Sequence, residues 1–423
     1  MYHGVRRKKV RRKGIVLLYS FVVPTRERPD VLKGTIGSIL NQTRSNFEVV
    51  VMDNASSPAT KDVVDSFQSP HIRYFRSDER LAMTDNWELA LQHATGDYVT
   101  VLGDDDGALP DAVEIAEEIH KVWPGALLTW RPLVYFWPNT FIEAYRNLVH
   151  MHLGSRVEER SARALLKDVY ACKKLYDELP SLYDSFVPRN LIEKIRAKYG
   201  RYFLSLSPDI ASGLINALTA ETYIYSYRPL AIRGISYHST GTSQSFPHVE
   251  NSPAKLFSKE VKGGTWDKAL HEKLAGDFII EVSITSEFLR FKEKYFPDDQ
   301  EIQPDMRRFI KWFCKSAPRF MARYDDVKEA IYTMAKKNGV PSWSIRIPPR
   351  WPSIEQVKRN QTYDKNTNTL YWSFYANENQ IKNIAEFAQL ASSISASKEN
   401  LKIVHLPQKV SVAARLMKAC GLK

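Results

Sequence analysis

The sequence predicts an α/β protein, with a doubly wound, mostly parallel sheet over roughly the first half of the chain and a mainly helical C-terminal extension. Two observations carry that expectation. Between Val16 and Trp130 short β-branched runs alternate with amphipathic segments, the pattern of a parallel sheet covered by helices on both faces. The connections between these segments are only a few residues long, so the stretch reads as one continuous domain.

The first strand is read at 16–23, an apolar run that follows a basic cluster from Arg6 to Lys13. The pair imitates a secretory signal, but the run meets Pro24, Thr25, Arg26, Glu27 and Arg28 rather than small residues at a cleavage site. It is therefore expected to be a buried strand. Further strands follow at 47–52, 72–76, 98–102 and 126–130, separated by helices at 31–40, 60–67, 86–93 and 111–122. After Pro132 the rhythm changes, with a second apolar run to Trp137 and helices at 162–171 and 191–199. Ser207, Pro208 and Asp209 supply the N-cap, first-turn proline and acid of another helix start. Strands at 222–227 and 231–235 lead into 237–243, a small polar loop.

Beyond Pro247 the pattern is mostly helical, interrupted by a proline-rich stretch at 341–352. The segment 366–405 is less regular and holds candidate strands at 370–375 and 401–405. The expected division is a basic tail (1–14), an α/β domain (15–246, halves meeting at 132/133) and a mainly helical region (247–423).

At 423 residues, 43% hydrophobic and 26% charged, the chain has the composition of a soluble globular protein of more than one ordinary core. No apolar run approaches the roughly 18 residues that would cross a bilayer. Three scattered cysteines, Cys172, Cys314 and Cys420, lack the paired spacing of a zinc site or disulfide framework, which points to a reducing, cytoplasmic setting. A net charge of +12 favours an anionic partner without choosing among nucleic acid, membrane and phosphorylated substrate.

The strongest chemical signal is Asp104, Asp105 and Asp106, standing after an apolar strand and before a helix. In a doubly wound sheet ligands gather beyond the carboxyl ends of the strands. Adjacent acids there repel one another unless a cation joins them, and their hard oxygens suit Mg²⁺ or Mn²⁺. A solvated acidic turn is the plain alternative, with Asp111 merely assisting the next helix start. Asp53 also ends an apolar strand, where it can accept from a base or ribose or simply form an Asx turn with Asn54.

Taken in order, Pro24 to Arg28 after the first strand, Asp53 and Asn54 after the second, Asn86 to Leu91, and Gly96, Asp97, Tyr98 leading to Asp104–Asp106 resemble the family-two glycosyltransferases of GT-A, Rossmann-like fold. The resemblance is good over 21–110, extends to about Ser243 and does not reach the C-terminal region. It implies an inverting transferase that moves a sugar from a nucleoside-diphosphate sugar to a hydroxyl acceptor, in surface polysaccharide or glycoconjugate synthesis, with Mn²⁺ or Mg²⁺ as cofactor. By the same resemblance, Pro24, Thr25, Arg26, Arg28 and Asp53 hold the nucleotide. Asp104 and Asp106 match the acids of the DXD motif. Many members carry an Asp where this chain has Gly103, which leaves open whether Asp104 or Asp105 contacts the donor; Asp106 is the firmer metal ligand.

The resemblance also places Asp209 where the family has its catalytic base, against the alternative that it only balances the helix dipole. It suggests His238 as a further metal or diphosphate ligand, against an ordinary loop histidine. Trp130, Tyr135 and Trp137 are read as core rather than as a sugar platform. The implied partners are the sugar nucleotide and a saccharide or lipid-linked saccharide acceptor. The basic N-terminus and 409–423 allow peripheral contact with an anionic membrane at its inner face, although a solvated tail is the simpler account.

Other classes fit less well. A sugar nucleotidyltransferase would place a glycine-rich, lysine-containing loop after the first strand, and here no glycine follows that strand until Gly34. No nucleic acid is expected, because the acidic triplet would repel a phosphate backbone. A non-catalytic sugar- or nucleic-acid-binding protein remains the other alternative.

Overall fold

In the computed structural model, residues 16–239, 270–276 and 279–406 are described. The basic tail, the loop beyond Ser239, Cys420 and the segment 409–423 lie outside them.

The chain builds two sheets. Its strands and helices run in the order β1 (Tyr19–Thr25), α1 (Pro29–Leu40), β2 (Phe47–Asp53), α2 (Pro58–Asp65), β3 (Ile72–Arg76), α3 (Met83–His93), β4 (Tyr98–Val101), β5 (Gly107–Ala108), α4 (Ala112–Val122), β6 (Leu128–Trp130) and β7 (Leu133–Phe136). There follow β8 (Leu148–Leu153), β9 (Arg156–Ser161), α5 (Ala162–Tyr170), β10 (Ser185–Pro188), α6 (Arg189–Tyr199), α7 (Pro208–Thr219), β11 (Thr222–Ser226) and β12 (Ala231–Ile235). The rest comprises α8 (Ile280–Tyr295), α9 (Met306–Ser316), α10 (Tyr324–Lys337), β13 (Asn360–Asp364), β14 (Thr369–Tyr375), α11 (Ile384–Ile394) and β15 (Lys402–Val404). The larger sheet has the order β15-β9-β11-β6-β10-β4-β1-β2-β3, and the smaller β13-β14-β8-β7-β12-β5.

The parallel centre β4-β1-β2-β3 follows from strands apolar on both sides. Val22, Val50, Met52, Val99 and Val101 enter one core, whereas Phe21, Val23, Val49, Val51 and Tyr98 enter another on the opposite face. That partition is the two-residue period of a strand. Trp130 and Tyr135 are buried as core, as their spacing predicts.

Three differences from expectation have physical causes. The first strand begins at Tyr19 rather than Val16, because Val16 is exposed and finds no neighbouring strand. β10, four residues long, is too short to show periodicity, yet it fills the gap between β4 and β6 as an antiparallel strand. The segment after 359 is not purely helical: β14 and β15 fall at the expected strands 370–375 and 401–405, but β13 and β14 extend the smaller sheet from β8, and β15 pairs with β9. Pairing closes strand edges that would otherwise expose unpaired backbone groups. The returning segment is locked in place by Arg228, buried, which binds Asp111 at the start of α4 and donates to the Ala396 carbonyl at 3.0 Å. Residues 280–337 are helical, as expected.

Candidate active site

The carboxyl ends of β1, β2 and β4 converge. Thr25 stands opposite Asp53 in the parallel register, and Leu102 N donates to the Val22 carbonyl. Pro24 and Thr25 close β1, and the loop that follows carries Arg26, half-buried, then Glu27 in the left-handed region at φ 54°. Ala55, after β2, is also left-handed at φ 52°. Two non-glycine residues in this region are costly, and surrounding bonds must hold them. Glu27 N donates to Ser56 Oγ at 2.9 Å, and the Glu27 carboxylate accepts from Ser57 N at 3.1 Å and Ser57 Oγ at 2.8 Å. These bonds join the two loops into one rim.

Asp53 is fully buried. Its Oδ1 accepts from Ser56 N, three residues on, at 2.9 Å, and its Oδ2 from Tyr74 OH at 2.6 Å. Asn54 grips Leu81 in both directions, at 2.9 Å to its carbonyl and 2.8 Å from its N–H.

All three acids of the triplet are buried, and each faces a different partner. Asp104 accepts from Thr25 Oγ1 at 2.8 Å and from Arg28 at 2.9 Å, which brings the first loop directly onto it. Arg28 also donates to the His238 carbonyl at 2.7 Å. Asp105 accepts from Ser236 Oγ at 2.6 Å and Ser239 Oγ at 2.9 Å, and its carbonyl takes the Trp137 indole N–H at 2.8 Å. Asp106 accepts from the N–H groups of Gly103 and Gly234, each at 2.7 Å, and from Tyr183. Burial, then the charge of Asp105, pushes the Asp106 carboxyl up to about 7. Burial, then Asp104, raises Asp105.

A second cluster adjoins the first. Arg233 on β12 pairs with Asp184 and lies with its guanidinium 5.7 Å from the Tyr183 ring centre. The Asp106 charge adds to the rise of the Arg233 guanidinium, and the Arg233 charge in turn opposes the rise of the Asp209 carboxyl, so both carboxylates feel this cation. Asp209, in the first turn of α7, is half-buried; Ser207 precedes the helix without a side-chain capping bond. Burial raises the Asp209 carboxyl, opposed by the Ile210 N–H and by Arg233. Glu287 on α8, which packs on α7, is pushed up to about 7 by burial, with Ser205 and Arg290 opposing and Asp209 adding to the rise.

The structure thus joins Thr25, Arg28 and Asp104, and both Asp106 and Asp209 feel the charge of Arg233. It does not assemble the expected ligand set Asp106, Asp104 and His238. Among the described residues no three His, Cys, Asp or Glu side chains converge as a metal cage. The His238 imidazole instead lies 3.5 Å from Asp30, while its backbone N–H donates to Ser236 Oγ at 3.1 Å and its carbonyl accepts from Arg28.

A divalent ion still fits a smaller donor set. Among the described residues the three buried carboxylates have one ion-paired cation, Arg28 at Asp104, and burial, with the neighbouring carboxylate charge second, raises Asp105 and Asp106. Mg²⁺ and Mn²⁺ are commonly held by one or two carboxylates together with substrate phosphates and water.

Tyr183, Asp184, Arg233, Ser236 and Glu287 escaped sequence reasoning. One signal was available: Arg233-Gly234 interrupts an apolar strand, and glycine inside a strand marks a close backbone approach. A Cβ on Gly234 would sit 1.6 Å from the Asp105 carbonyl oxygen.

A parallel-centred sheet with acids clustered beyond its carboxyl ends is a GT-A class fold. Residues 20–157 match Glycosyl transferase family 2, and this stretch carries that family's signature. Abequosyltransferase RfbV of Salmonella typhimurium is 31% identical over 106 residues, covering 24% of this chain and 32% of that protein. The GalNAc(5)-diNAcBac-PP-undecaprenol beta-1,3-glucosyltransferase of Campylobacter jejuni is 37% identical over 106 residues, covering 23% and 34%. The chain thus spans about a third of the length of these relatives. S. aureus TarS 1–349, a solved structure, aligns over 76% of this chain and 88% of its own at 14% identity and a TM-score of 0.41. Among the described residues no helix is long and apolar enough to cross a membrane.

Proposed function

We propose that the protein is an inverting glycosyltransferase that moves a sugar from a nucleoside-diphosphate sugar to a hydroxyl acceptor. The carrying observation is the run of contacts from the first loop onto Asp104, through Thr25 and Arg28, and from Asp106 onto the Gly234 N–H of β12, beside Arg233. One end is suited to a diphosphate, the other to an acceptor.

In this reading the rim of Pro24, Thr25, Arg26, Arg28 and Asp53 receives the nucleotide. Asp53 offers the base its remaining lone pairs while its bonds to Ser56 N and Tyr74 OH keep the carboxylate fixed. Asp104 or Asp105 orients the ribose side. A divalent ion, when bound at Asp106 with Asp104, would neutralise charge on the leaving diphosphate. Asp209 removes the proton from the acceptor hydroxyl, and that oxygen forms a bond to the anomeric carbon. The bond from that carbon to the diphosphate oxygen breaks from the opposite face, and the electron pair leaves with the nucleoside diphosphate. Arg233, held by Asp184, lies where developing negative charge needs an oriented donor. The C. jejuni relative, named for a PP-undecaprenol-linked saccharide, supports a lipid-linked acceptor.

The test is nucleoside diphosphate release from a panel of nucleotide sugars with Mn²⁺, with and without chelator. Turnover of one donor, lost on chelation and in Asp106→Asn, is expected. An Asp106→Asn protein fully active in the presence of chelator would overturn the metal assignment, and absence of release from every donor would count against transfer itself.

A further inference from the structure

After α10 the chain turns at Gly339, φ 63°, and runs extended along the helical region. Ile345 and Ile347 pack inward against its core. Tyr324 OH donates to the Pro348 carbonyl at 2.5 Å, and Trp351 N to the Pro318 carbonyl at 3.0 Å. The segment is therefore fixed, and its prolines further limit its freedom. Held in this way, it displays outward two indoles that a folded chain ordinarily covers: Trp343 is 81% exposed and Trp351 44%. Arg346 and Arg350, also exposed, lie between them in sequence. Tyr332 and Lys336 on α10 continue the surface, lining with Pro341 and Ser342 a shallow groove of about 590 Å³.

Exposed indoles among arginines have a specific chemistry. Indole has an apolar body and one N–H donor, and it settles at the boundary between hydrocarbon and water, while guanidinium binds phosphate. The local charge favours an anionic surface: Lys336, Arg346, Arg350, Lys358 and Arg359 stand against Glu329 and Glu355. A rigid display of this kind binds without first ordering a loop.

We propose that the face formed by Tyr332, Lys336, Trp343, Arg346, Arg350 and Trp351 docks on an anionic lipid bilayer, with the indoles in the headgroup layer and the arginines on lipid phosphates. The proposal stands independently of the transfer reaction. It concerns residues other than the basic tail and the segment 409–423.

The experiment uses the full chain with vesicles of phosphatidylcholine alone and of phosphatidylcholine mixed with phosphatidylglycerol, read by cosedimentation and tryptophan fluorescence. Binding to the anionic vesicles only, weakened by salt and accompanied by a blue shift, is expected. Arg346→Gln with Arg350→Gln should lower partitioning roughly 25-fold, about fivefold per arginine. Trp343→Ser with Trp351→Ser should abolish the blue shift while the melting temperature holds. Three results would each overturn the proposal: no binding by the parent, equal binding by the tryptophan variant, or self-association that depends on the tryptophans in place of vesicle binding. Vesicle binding needs no sugar nucleotide, so its failure leaves the transferase reading untouched.

Discussion

Asp209 and Gly234 are the residues at which mechanism and fold separate most cleanly. If Asp209 is the base, Asp209→Asn keeps a polar side chain at the start of α7 and should lower single-turnover transfer by ~10²-fold or more. Its melting temperature should scarcely move, whereas a purely dipolar role predicts a stability loss of about 0.5–1 kcal/mol with normal turnover. A less stable but fully active variant would sink the assignment. Gly234 supports the site through its lack of a side chain: a Cβ there would overlap the Asp105 carbonyl. Gly234→Ala should cost about 1–3 kcal/mol from overpacking and also weaken donor binding, since Gly234 N–H holds Asp106. Wild-type denaturation and donor affinity in this variant would show that the strand can move aside. The Asp triplet was legible because its residues are consecutive and follow one strand. Arg233, Asp184 and Glu287 were not, because each meets the site from a different element.

At the scale of elements, α11 is the test of how the C-terminal segment supports the site. Ile384 is fully buried and reaches both Gly34 on α1 and Gly107 beside Asp106, where an added Cβ would meet it at 3.1 Å in each case. Ile384→Ala should therefore cost about 2–5 kcal/mol by urea denaturation. An effect below about 1 kcal/mol would mean that α11 is dispensable to the domain. Local pattern gave α1 to α4 and the central strands to within a few residues. It gave neither β8 nor β9, nor the pairing of β14 with β8, because a ladder partner more than 200 residues away leaves no trace in local periodicity.

For the molecule as a whole, buried histidines oppose buried carboxyls as pH falls. Burial pushes both His120 and His152 down to about 3. Above about 6.5, the unfolded value, both states are neutral and their contribution is complete; below it the unfolded chain takes up protons that the folded chain refuses, and stability is lost. Asp106 and Glu287, pushed up to about 7, act in the opposite sense, since the folded chain protonates first. The net slope is thus a balance, and a variant isolates one part. Between pH 6.5 and 5, unfolding free energy of His120→Gln relative to the parent should rise by about 1.4 kcal/mol per pH unit. A difference that stays flat with pH would show that His120 protonates freely in the folded protein.

The sequence by itself determined the α/β class, the succession of the first strands and helices, and the acids at their carboxyl ends. Each of these is set by neighbours within one or two turns or strands. Only the tertiary structure decided that residues 360–404 return to both sheets, that His238 lies beside Asp30, and that Arg233 pairs with Asp184 near the acidic triplet. Those outcomes depend on which distant edges and charges meet once the cores have formed, and burial then sets the protonation of the groups that meet there.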